Sequence, residues 1–140
     1  GIAVVFAAGN TGPGGATSIS PANNTGAIAV GSVNALNAID PTSARGPSAC
    51  DARIYPDIVA PGDAIKTTDL SFGGFPFYVS GTGTSYSTPH ASGVLALLRS
   101  AFPNTTLAQL KSALTGSAAD LGAVGPDNAA AIDAEATTAT

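Results

Sequence analysis

Residues 81–102, GTGTSYSTPHASGVLALLRSAF, constrain the fold more than any other stretch. A Gly- and Thr-rich turn runs straight into an apolar segment, with Ser85 at the junction. Val94, Leu95, Leu97, Leu98 and Ala101, with Ala91 and Gly93, make a helix apolar on nearly every side, and such helices belong in the centre of a fold. Pro89 fits near the start of that helix, where a missing N–H matters least. Ser85 falls at or beside the first helical turn, where unpaired N–H groups point outward and the helix dipole favours negative charge. A serine whose reaction partner develops an oxyanion would be well placed there. For a serine in arbitrary surroundings, the plainer reading is a hydroxyl capping a buried helix.

The rest of the chain supplies strands around that helix. Residues 2–8, IAVVFAA, read as a continuous apolar strand buried on both faces of a parallel sheet. Gly9-Asn10-Thr11-Gly12-Pro13-Gly14-Gly15 follows as a loop of turn formers. Strand-then-glycines suggests a phosphate cradle, but the Lys-Ser/Thr of a P-loop and the third glycine of a dinucleotide fingerprint are missing. Residues 27–33 form a second buried strand, and Ile58-Val59-Ala60 a third, bounded by Pro56 and Pro61. Asp57 and Arg45 are candidates for a structural ion pair. Residues 65–67 and 75–80 read as two strands of a hairpin joined through 71–74. Thr105 or Thr106 caps a second helix, with Leu107, Leu110 and Leu114 on one face and Gln109 and Lys111 outside.

At 140 residues the chain suits one domain, spanning 1–140 with a loose tail from about residue 129. A net charge of −4 with five scattered basic residues speaks against nucleic-acid or anionic-membrane surfaces. No apolar run approaches the length of a membrane span. The single cysteine, Cys50, permits no internal disulfide, and no Cys/His cluster suggests a metal. The chain starts without Met inside an apolar run, so the lack of a visible secretory signal carries no weight.

The string Gly83-Thr84-Ser85-Tyr86-Ser87-Thr88-Pro89-His90-Ala91-Ser92-Gly93 closely resembles the nucleophile motif of subtilisin-like serine peptidases. That motif reads Gly-Thr-Ser, a variable residue, two small ones, then Pro-His and a Gly three further on. Ala7-Ala8-Gly9-Asn10 resembles the family's oxyanion-hole segment. Residues 43–63, with Ser-x-Arg-Gly-Pro and Pro-Asp-Ile-Val-Ala-Pro-Gly, resemble another family signature. The Pro-x-x-Thr-x-x-Gln-Leu-Lys-x-Ala-Leu run from Pro103 and the Ile132-Asp133-Ala134 close resemble two more. The implied fold is α/β: part of a three-layer subtilisin-like domain, its sheet mostly parallel, its central buried helix starting near Ser85.

The resemblance makes Ser85 the nucleophile and Asn10 the oxyanion donor of an endopeptidase that cuts peptide or protein substrates. Ala7, Ala8 and Gly9, with Thr84, would bind substrate, the loop forming one wall of the primary specificity pocket. Tyr86 stands where many relatives have Met. The loop 20–26 resembles one with a cis proline and sometimes a weak cation held by main-chain carbonyls. By that analogy Pro21 is cis, and the carbonyls of Ala22, Asn24 and Ala27 would hold an ion. No acidic side chain adjoins the loop in sequence to raise affinity, so no metal or other cofactor is expected. The family is secreted, which makes an extracellular location the expectation.

A serine hydroxyl needs a positioned base, and the base needs an orienting group. The only histidine, His90, follows Ser85 by five residues. On a helix that offset is about 140° around the axis, so the two side chains leave different faces. His90 reads instead as a packed histidine bonded to backbone or hydroxyl groups. In this family the triad runs Asp, His, Ser along the chain. The resemblance therefore covers the C-terminal half of the catalytic domain, and the missing N-terminal half would supply base and orienter. The chain alone is expected to be inactive. Its uncovered apolar helix and open sheet edge would favour a homo-oligomer or swapped assembly. The alternative is a degenerate, non-catalytic half retained as a scaffold or interaction module. An α/β-hydrolase elbow fails, because Gly83-Thr84-Ser85-Tyr86-Ser87 lacks the closing glycine of Gly-x-Ser-x-Gly.

Overall fold

The computed structural model describes residues 1–70, 77–121 and 130–131. Four strands form one parallel sheet in the order β1 (Val5–Ala7), β2 (Ile28–Val33), β3 (Ile58–Pro61) and β6 (Ala130–Ala131). β4 (Ile65–Thr68) and β5 (Tyr78–Gly81) pair antiparallel, Ile65 opposite Gly81. The expected connection through 71–74, the first two residues of the strand expected over 75–80, the closing residues 132–134 and the tail beyond them lie outside the described residues. Two helices follow, α1 (Thr84–Ala101) and α2 (Leu107–Gly116).

β2 is the centre of the sheet. All six of its residues are buried, as a strand covered on both faces requires. Alternation divides its side chains between two cores. Ile28 and Val30, with Ile58 and Ala60 of β3, face Ala91 and Leu95 of α1 and Leu110 and Leu114 of α2. Ala29 turns the other way, onto Ala8, Ala22, Ala44 and Tyr55. Among the described residues that second face is covered by the long crossover segments between parallel strands, which bring small residues and one tyrosine against it.

Three expectations change here. The first strand is shorter than residues 2–8 and half-buried, because among the described residues β1 has one strand neighbour, β2; Ile2 is 85% exposed. The helix α1 is not enclosed on all sides. Its buried residues are Thr84, Ser87, Ala91 and Leu95, one stripe facing the sheet, while Leu97 is 60% exposed. Pro89 lies inside the helix, at its sixth residue, and removes the N–H that would have bonded the Ser85 carbonyl. The second helix matches its expected face. Thr106 caps it in a capping box with Gln109.

The Asp57 ion pair also differs. Asp57 Oδ1 lies 2.7 Å from Lys111 Nζ and 3.8 Å from Arg53 Nε, and its Oδ2 accepts from the Ala29 N–H at 2.7 Å. Lys111 therefore turns inward from α2 instead of outward. The carboxylate stands at the start of β3 and stitches it to β2, with Lys111 and Arg53 as its cations.

Candidate active site

The segment carrying Asn10 leaves β1 and is tied down at each step. Ala8 N–H donates to Val30 O at 2.9 Å, and the Gly9 carbonyl accepts from Ala44 N–H at 2.8 Å. Gly12 N–H donates to Thr42 O at 2.9 Å. The Ala8 carbonyl accepts from the Tyr55 hydroxyl at 2.5 Å. Tyr55 is fully buried, and burial pushes its phenol above the usual 10.0.

The start of α1 meets this segment from 74 residues away. Gly83, the residue before the helix, has φ 141°, a region glycine tolerates best. It offers no side-chain cap. The Thr84 N–H instead donates to Asn10 Oδ1 at 3.0 Å, so the cap comes from another part of the chain. The Thr84 hydroxyl donates to the same Oδ1 at 3.0 Å and accepts from the Gly9 N–H at 3.2 Å. Because an N–H must face an acceptor, the Asn10 amide has only one consistent orientation. Its oxygen is locked against Thr84, and its NH₂ is left for something else. A Cβ on Gly83 would lie 3.1 Å from that Nδ2, so the glycine also keeps the approach to it open.

Ser85 is exposed, and among the described residues its hydroxyl has no hydrogen-bond partner. Its backbone N–H is one of the first-turn donors that no carbonyl four residues back can satisfy. The helix carries no acidic residue in its first turn, where a negative charge would be favoured. The structure thus brings together a free hydroxyl, a free helix N–H and an oriented amide. Such a set can stabilise a negatively charged oxygen formed on a group attached to Ser85.

Among the expected substrate contacts, Ala7 is half-buried and Gly9 and Ala8 are buried. Thr84 is 0% exposed, its hydroxyl donating to Asn10 Oδ1 and accepting from the Gly9 N–H. Tyr86 is half-buried, with its ring against Gly81 so closely that a Cβ there would overlap it. His90 is exposed rather than packed, and its Nδ1 lies 2.9 Å from the Tyr86 carbonyl. A carbonyl only accepts, so Nδ1 carries the proton in this arrangement.

Sequence reasoning missed Tyr55. Its hydroxyl reaches the loop 47 residues away, and no local pattern announces such a contact. Tyr55→Phe keeps the ring and leaves the buried Ala8 carbonyl unpaired, which should cost about 1–3 kcal/mol in thermal or denaturant unfolding. The phenol's raised pKa adds a sign: its contribution is complete below 10.0 and is lost as pH rises through the folded-state value. The Phe variant should therefore lose less stability in alkali than the parent. Equal stability of the two at neutral pH would show that the hydroxyl bond is immaterial.

The profile of the subtilase family matches residues 1–131. The chain is 40% identical over 124 residues to a subtilisin of Bacillus pumilus, covering 87% of this chain and 41% of that protein. It is 33% identical over 127 residues to the minor extracellular protease Epr of Bacillus subtilis, covering 91% of this chain and 18% of that one. Among solved structures, sphericase aligns with a TM-score of 0.69 at 31% identity, over 81% of this chain and 39% of its own. The prenylagaramide maturation protease PagA aligns at 0.74 and 26%, over 94% and 48%. The chain thus spans less than half the length of these relatives. The parallel sheet, the helix that begins at the serine and the match over residues 1–131 agree: this chain belongs to the subtilase family.

Proposed function

We propose that this chain carries the nucleophile and the oxyanion donors of a serine endopeptidase, and that the proton acceptor comes from outside these 140 residues. The observation that carries the reading is the locked Asn10 amide. Thr84 takes its oxygen, which leaves Nδ2 and the Ser85 N–H as donors beside an uncommitted hydroxyl.

In this reading Ser85 Oγ attacks the carbonyl carbon of a peptide bond while its proton passes to the external base. The carbonyl π electrons move onto oxygen, where Asn10 Nδ2 and the Ser85 N–H receive the charge. Collapse breaks the C–N bond. The amine leaves with the proton from the base, and an acyl group remains on Ser85 until water removes it by the same steps. Backbone of Ala7, Ala8 and Gly9 lines the substrate side, and Thr84 and Tyr55 position the donors. His90 takes no part, since its Nδ1 proton serves the Tyr86 carbonyl. Substrates are peptides or proteins, and the site is extracellular, in keeping with the likeness to a minor extracellular protease.

A fluorophosphonate probe tests this. The chain alone should label weakly, and labelling at Ser85 should rise sharply once the preceding half of the catalytic domain is supplied. Strong labelling of the chain alone would show that it holds its own base. Absence of labelling in both states would remove Ser85 as nucleophile.

A further inference from the structure

Three consecutive main-chain carbonyls in the loop before β2 converge on one side-chain cation. Arg53 Nη2 donates to Ala22 O at 3.2 Å and to Asn24 O at 3.3 Å, and Nη1 donates to Asn23 O at 3.1 Å. Nη1 also reaches Asp51 Oδ2 at 2.8 Å, and Nε stands 3.8 Å from Asp57 Oδ1. A second cation completes the arrangement: Lys111 Nζ donates to the Ala27 carbonyl at 3.2 Å.

Carbonyl oxygens converging with carboxylates are the donor set of a hard cation such as calcium. Here the three carbonyls that the family resemblance offered to an ion, those of Ala22, Asn24 and Ala27, are all engaged by a guanidinium or an ammonium. A metal ion would have to displace both and withstand their repulsion. One buried oxygen of the loop, Asn23 Oδ1, has no partner among the described residues, but a single amide oxygen is no chelate for an ion that takes six to eight. The residues present do not fit a resident metal. They fit the planar, multi-donor fork of arginine, which can serve several oxygens at fixed angles where a lysine serves as a point charge. The same guanidinium lowers the Asp51 carboxyl from 3.8 to about 2, so that carboxylate stays charged beside it well into acid.

We propose that Arg53 is the built-in cation of this loop, and that removing it uncovers a latent site for a hard metal ion made of the 22–24 carbonyls and Asp51, while Lys111 keeps Asp57. The loop adjoins the site described above. The residue before it, Ile19, accepts the Asn23 N–H on its carbonyl at 3.1 Å, and the Ile19 side chain lies against Gly9, next to Asn10.

The test is thermal unfolding of the full chain and of Arg53→Ala and Arg53→Lys, in chelator, in calcium and in potassium. The parent midpoint should be the same in chelator as in about 5 mM calcium, a concentration that fills even weak protein sites. Arg53→Ala should fall by roughly 5–10 °C in chelator and recover part of that loss with calcium or potassium. Arg53→Lys should fall less, keeping the charge but not the fork. If Arg53→Ala is unfolded in chelator, a folded signal returning on addition of calcium supports the proposal. Failure to regain any structure with either ion contradicts it. A parent midpoint that climbs with calcium would also overturn it, because the loop would then hold a metal alongside Arg53.

Discussion

Ser85→Ala in the complete catalytic domain is expected to abolish probe labelling and peptide turnover. The loss should be about 10⁶ in kcat, a magnitude already established for the nucleophile of a subtilisin and not obtained from this geometry. The same substitution should leave folding almost untouched, within about 0.5 kcal/mol, because the exposed hydroxyl has no partner among the described residues. The two readouts together separate a chemical role from a structural one. A variant that loses activity because it unfolds would not support the assignment. One that keeps turnover would refute it.

Asn10 should behave differently, because it does two things. Its oxygen caps α1 and satisfies the buried Thr84 hydroxyl, and in the proposed mechanism its NH₂ receives the charge. Asn10→Ala should lower stability by about 1–2 kcal/mol, as loss of a cap does. It should also lower kcat by about 10²–10³, the loss known for the oxyanion asparagine of a subtilisin rather than a new estimate. Asn10→Asp resolves the two effects. An aspartate keeps an oxygen for Thr84 but replaces the donor with a second acceptor. Stability near that of the parent, measured by thermal unfolding, should accompany a loss in kcat at least as large as that of alanine. An active aspartate variant would remove Asn10 from the chemistry.

The parts legible from sequence are those written in local pattern. Continuous apolar residues announced β2, and the spacing of Leu107, Leu110 and Leu114 announced the inner face of α2. The Gly-Thr-Ser turn announced where α1 begins. The cis Ser20–Pro21 bond, inferred only by analogy with relatives, is present as well. What failed depended on neighbours far along the chain. Composition alone made α1 look enclosed, yet its burial is decided by which faces meet a partner. Asp57 could have paired with any nearby cation, and the arrival of α2 brought Lys111 to it. Arg53 among the loop carbonyls and Tyr55 beneath Ala8 are contacts across 29–31 and 47 residues, beyond the reach of any periodicity. Thr84, which the family resemblance placed in substrate binding, is buried, and its hydroxyl bonds Asn10 and the Gly9 N–H, partners 74 and 75 residues away.

The geometry of the charged oxygen is the most direct test. A crystal structure of the phosphonylated Ser85 adduct in the complete domain should place one phosphoryl oxygen within about 2.7–3.1 Å of both Asn10 Nδ2 and the Ser85 N–H, the span such donors require. An adduct whose oxygen turns away from Asn10, or whose phosphorus is attached to another residue, would contradict the account.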